Sequence, residues 1–135
     1  MEHDTQAAFF DWASRQRFPG IELLHAIPNG GARHIVAATK LKAEGVRPGV
    51  PDVQWGVARG GFIGLAIEFK HGDGSPTKEQ RLRIDKMQAE GWCVAICWSW
   101  PAAARMLQGY AGMLRLSVDS PEFENGEKNA CNKTA

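Results

Sequence analysis

Three side chains in the middle of this sequence have types and spacing that suit chemistry. Asp52 follows Pro51, and Glu68 and Lys70 stand two positions apart in the apolar run FIGLAIEFK, residues 62–70. Burying a lone carboxylate or ammonium costs several kcal/mol, so a charged pair in such a run needs a reason. One reason is an ion pair at a strand end, emerging into solvent beside His71-Gly72-Asp73-Gly74. The other is an active site. Two steps of strand set Glu68 and Lys70 about 6.5–7 Å apart at the backbone, which leaves room for a metal ion and its water between the head groups. Pro51 fixes the chain as it enters a strand and aims the Asp52 carboxylate. Taken alone, Asp52 also suits a turn or a strand-start cap.

The elements that must position these groups alternate along the chain. Residues 3–17 read as a helix with Phe9, Phe10, Trp12 and Ala13 on its apolar side, and Glu22–Ile27 as a short strand stopped by Pro28-Asn29-Gly30-Gly31. Ala32–Glu44 reads as a second helix, with Ile35, Val36, Ala38, Thr39 and Leu41 near one face and Gly45 as its stop. Asp52–Val57 and Phe62–Lys70 are strands joined through Ala58-Arg59-Gly60-Gly61 as a hairpin. In the second of them, alternation puts Ile63, Leu65, Ile67 and Phe69 on a core face. Phe62, Gly64, Ala66, Glu68 and Lys70 take the other face, where the small residues leave space beside the charges. If the two strands pair, Asp52 and Glu68 converge at one end of the sheet. Thr77–Glu90 is a third helix, Trp92–Trp98 an apolar strand, and Pro101–Tyr110 a fourth helix with proline in its first turn. This order implies an α/β sandwich with a mixed sheet and helices on both faces.

Composition bounds the classes. The chain has 135 residues, 44% hydrophobic and 23% charged, with a formal net charge of +1. That suits one globular domain, here residues 1–118, followed by a polar, flexible tail over 119–135. No apolar run reaches membrane-spanning length, and the acidic, polar opening MEHDTQAAFF is unlike a signal peptide, so a cytoplasmic protein is expected. Cys93, Cys97 and Cys131 make an odd count without CxxC, which argues against a disulfide framework or a Cys-rich zinc site; Cys93 and Cys97 read as small buried thiols. The weak net charge does not match a purely nucleic-acid-binding module. From Arg33 to Lys86, however, ten basic residues face six acidic ones. Of the five tryptophans, Trp92 and Trp98 read as core, Trp55 and Trp100 as interface residues, and none is placed on DNA.

Pro51-Asp52 followed by Glu68-Phe69-Lys70 resembles the PD…(D/E)xK signature of restriction-endonuclease-like nucleases. The surrounding blocks IPNGGAR (27–33), LKAEGVRPGVPD (41–52), GLAIEFK (64–70), TKEQ (77–80) and GWCVA (91–95) resemble successive segments of the VRR-NUC (virus-type replication-repair nuclease) family, across roughly residues 2–112. The resemblance implies a restriction-endonuclease-like fold and Mg²⁺- or Mn²⁺-dependent hydrolysis of DNA phosphodiesters. Short phage and bacterial members of the family imply a homodimer acting on branched DNA such as Holliday junctions.

On that resemblance Asp52 and Glu68 are metal ligands, joined by the backbone carbonyl of Phe69. Lys70 orients the attacking water or acts as general base. Glu2, followed by Gln6, fits the acidic position of the first helix, with Glu22 as a substitute. Gln80 points into the site, or completes a capping box with Thr77; the two roles are compatible. Asn29, Gly30, Gly31 and Arg33 form a loop able to approach a phosphate, or a plain turn. Lys40, Lys42 and Arg47 are expected to track a DNA backbone. The histidines carry no metal spacing. Rival readings are a non-catalytic DNA-binding or assembly module on a nuclease fold, a flap-type nuclease, and a sequence-specific restriction enzyme.

Overall fold

The computed structural model describes residues 2–28 and 35–115; of Glu2, Ile35 and Val36 it describes the backbone alone. The expectations for Asn29, Gly30, Gly31, Arg33, Cys131 and the tail fall outside these residues. The order is α1 (Glu2–Ala13), a 3-10 turn (Ile21–Leu23), β1 (Leu24–Ala26), α2 (Ile35–Ala43), β2 (Val53–Trp55), β3 (Gly64–Phe69), α3 (Lys78–Ala89), β4 (Trp92–Cys97) and α4 (Trp100–Ala111). The strands form one sheet in the order β1-β2-β3-β4, antiparallel except for the parallel β3–β4 pair. This is the expected α/β architecture, a mixed sheet flanked by helices.

Period-two alternation builds the two sides. Val53, Trp55, Leu65, Ile67, Phe69, Ala95 and Cys97 share a face and join Phe9 and Ala13 of α1 and Ala103, Leu107 and Tyr110 of α4 in one core. Phe9 meets Phe69 edge to face at 5.7 Å between centroids. The reverse face, with Ala66 and Glu68, lies against α3, which buries Ile84 and packs on β4. With β2 and β4 on either side, Trp92 over Gly64 and Gln80 of α3 against Glu68, β3 is buried along its whole length.

Local chemistry sets the helix ends. Thr77 and Gln80 form a reciprocal capping box at the start of α3, and the Ser99 hydroxyl accepts from the Ala102 amide, with Pro101 in the first turn of α4. Helix α1 ends at Ala13 rather than at residue 17.

Other expectations are corrected. The turn at the hairpin tip is tight, with Gly60 and Gly61 both at positive φ between the bridged residues Arg59 and Phe62. Regular pairing resumes only at Trp55 and Leu65, so Ile63 is 53% exposed instead of joining the core. The space beside Gly64 is filled: a Cβ there would lie 2.6 Å from the Trp92 ring. Trp55, read as an interface residue, is fully buried and donates its indole N–H to the Gly20 carbonyl at 2.7 Å. Trp98, read as core, is 49% exposed because β4 ends at Cys97. Cys97 is buried and Cys93 half-buried. On α2, Ala38 and Thr39 are exposed and Leu41 half-buried, so no wide apolar face is covered there.

Candidate active site

The β2–β3 register decides the geometry. Val53 pairs with Ile67 and Trp55 with Leu65; one step further, Asp52 stands opposite Glu68. Directly opposed residues of an antiparallel pair project to the same face, so both carboxylates lie on the α3 side. Asp52 is anchored twice. Its carbonyl accepts from the Ile27 amide at 2.7 Å, extending the β1–β2 ladder. Its Oδ2 accepts from the Phe69 amide at 2.8 Å. The peptide between Glu68 and Phe69 thus links the two acidic residues.

Lys70 leaves the end of β3, but its amide still donates to the Cys97 carbonyl at 2.9 Å. Its Nζ lies 3.3 Å from Glu68 Oε2 and donates to Gln80 Oε1 at 2.8 Å. Gln80 Nε2 in turn donates to Glu68 Oε2 at 2.6 Å. Gln80 Oε1 also accepts from the Thr77 amide at 2.8 Å. One glutamine therefore closes the capping box and bridges the lysine to the glutamate; the two expected roles coexist. Fixing a long side chain costs rotamer entropy. Here the helix N-terminus fixes Gln80, and Gln80 orients Lys70.

Electrostatically the site is loaded. Glu68 is 3% exposed, and its Oε1 is buried without a hydrogen-bond partner. Burial, and next the negative charge of Asp52, push its pKa up to about 7, against the opposing pull of Lys70. A buried carboxylate oxygen facing another carboxylate is an unfavourable arrangement for the chain alone. It is a favourable one around a hard cation, which prefers oxygen ligands. Among the described residues no three His, Cys, Asp or Glu side chains gather in one place; Asp52 and Glu68 are the pair that meets.

The site opens into a cleft of about 530 Å³ lined by Pro28, Ala38, Leu41, Lys42, Val46, Arg47, Pro48, Gly49, Val50, Asp52 and Gln80. Two expected DNA-binding residues, Lys42 and Arg47, face this cleft, whereas Lys40 is exposed outside its lining. Glu22 does not reach the site. It is exposed before β1 and lines a separate cavity with Gly56, Val57 and Ala58, at the other end of the sheet. The physical reason is the antiparallel run of β1, which carries residue 22 beyond Trp55 rather than toward Asp52.

Gly49 is a residue that the sequence reading passed over. It has φ of 80° and sits against the first turn of α3, where a Cβ would lie 2.7 Å from the Glu79 carbonyl oxygen and 3.1 Å from the Gln80 amide nitrogen. This close backbone approach sets the loop carrying Asp52 against the helix carrying Gln80. The Pro48-Gly49 pair in VRPGVPD is its sequence signal, since Pro-Gly favours turns with positive φ at the glycine.

Fold and site together define an α/β protein of nuclease type. The VRR-NUC domain model matches residues 1–100. A solved VRR-NUC domain protein is 30% identical, with a TM-score of 0.74, over 84% of this chain and 90% of that one. The chain belongs to the VRR-NUC family. A search of curated proteins gives no match, and no helix among the described residues is long and apolar enough to cross a membrane.

Proposed function

We propose that the protein is a metal-dependent deoxyribonuclease that hydrolyses phosphodiester bonds in branched DNA, such as Holliday junctions, as a homodimer with residues 1–118 as its nuclease unit. The observation that carries the metal is the partnerless, buried Oε1 of Glu68 beside the Asp52 carboxylate. Asp52, Glu68 and the Phe69 carbonyl would hold Mg²⁺ or Mn²⁺, with Glu2 as the candidate further ligand. The donor set is all oxygen and fits either ion. Such an ion supplies Lewis acidity, which lowers the pKa of water and offsets charge building on the phosphate.

The chain's own groups do the rest. Lys70 Nζ, held by Gln80 and Glu68, orients the attacking water or takes its proton. The Phe69 amide holds Asp52 in place through Oδ2. Lys42 and Arg47 in the cleft, together with Lys40, Asn29, Gly30, Gly31 and Arg33, are the candidates for holding the DNA backbone, which makes binding fall with salt.

The test is cleavage of labelled linear duplex, flap and four-way-junction DNA, with Mg²⁺, Mn²⁺ or chelator, by the wild type, Glu68→Ala and Lys70→Ala, alongside solution mass. Metal-dependent cutting of the junction by a dimer, lost in both variants, is expected. Binding without cutting in any metal would turn the assignment to a non-catalytic module, and flap cutting by a monomer to a flap nuclease.

A further inference from the structure

We infer that Trp98 is a stacking platform for an unpaired nucleobase next to the scissile phosphate, so that the site selects DNA with single-stranded or splayed character. The inference rests on the nuclease reading above and specifies its substrate.

β3 and β4 run parallel with Phe69 beside Cys97, and the Lys70 amide donates to the Cys97 carbonyl. Continued one step past the end of β4 at Cys97, that register brings Trp98 level with Lys70, and the bond from its Nε1 to the Gly74 carbonyl places the ring against the turn that follows Lys70. Trp98 is 49% exposed, yet its Nε1 donates to the Gly74 carbonyl at 2.8 Å. Gly74 itself is tied back, its amide donating to the His71 carbonyl at 2.9 Å. The ring is therefore held across the turn that follows Lys70.

Indole has a single polar group, a donor, and here the chain already uses it. The ring is left to offer its π-face. Base stacking on such a face is tolerant of sequence. Bases inside a duplex present edges to the grooves and have their faces covered by neighbouring bases, so the ring fits a base that is unpaired or at an end.

The experiment measures equilibrium binding in chelator, where nothing is cut. The probes are a single strand and a matched duplex, with 2-aminopurine moved through successive positions of the single strand. Wild type, Trp98→Ala and Trp98→Phe are compared after thermal melts establish that each variant folds. In Trp98→Ala the ratio of single-strand to duplex affinity should fall about tenfold or more, and the position-specific 2-aminopurine quench should vanish; Trp98→Phe should keep most of both. An unchanged ratio, equal losses on both probes, or a change in solution mass without a selective loss would overturn the inference. Normal metal-dependent cleavage alongside an unchanged ratio refutes stacking alone. A selective loss in a protein that cuts nothing would leave stacking standing and refute the nuclease reading.

Discussion

Glu68→Gln isolates the electrostatic load of the site. Glutamine has nearly the shape of protonated glutamic acid, so at about pH 3.5, below the carboxyl's unfolded value, variant and wild type should be equally stable. From about pH 4.5 upward they should part, with the full gap reached above about pH 7. Glu68 has a pKa raised from 4.5 to about 7 in the folded protein. A carboxyl raised on folding contributes stability that is fully present below the unfolded value and is lost as pH rises through the folded one. In the metal-free protein this loss runs from about pH 4.5 to about pH 7 and amounts to roughly 3 kcal/mol. Urea unfolding in chelator should then find the variant more stable than wild type by about 2–3 kcal/mol at pH 8, or about 10 °C in Tm. Titrating groups that do not sense Glu68 are common to both proteins and cancel in the comparison. Mg²⁺ should restore stability to the wild type at pH 8 and do little for the variant, since a cation bound to the folded state stabilises by mass action. Equal stabilities at pH 8, or a gap already present at about pH 3.5, would refute the reasoning.

Further outcomes follow from the same geometry. Gly49→Ala should cost about 1–3 kcal/mol, because it combines left-handed backbone with a backbone clash on α3; single-turnover cleavage should fall with it, as Asp52 shifts away from Gln80. Gln80→Ala and Thr77→Ala should each cost about 1 kcal/mol in denaturant titrations through loss of the capping box. Only Gln80→Ala should also slow cleavage by about 10²-fold, by releasing Lys70. Lys42→Ala and Arg47→Ala should each flatten the slope of log affinity for DNA against log salt by about one. Arg15→Ala, on an exposed pair with Asp11 of α1, should leave the slope unchanged.

The sequence by itself determined the order of elements, the core face through Leu65, Ile67 and Phe69, the capping box at Thr77, and the candidate trio Asp52, Glu68 and Lys70. These are local: alternation, turn residues and caps act within a few positions, and a charged pair in an apolar run stands out without knowing what surrounds it. Tertiary structure decided what depends on register and packing. That Asp52 opposes Glu68 follows from strand pairing, which one residue of slip would have reversed. That Gln80 spans Glu68 and Lys70 requires α3 to lie over β3, and that Gly49 touches α3 requires both segments to be placed. Trp55 and Trp98 show the same division. Both stand in or beside strand runs, and indole burial there depends on whether the sheet continues and what lies over it. Trp55 is covered by α4, whereas β4 stops before Trp98 and leaves its ring at the surface, tied to the Gly74 carbonyl.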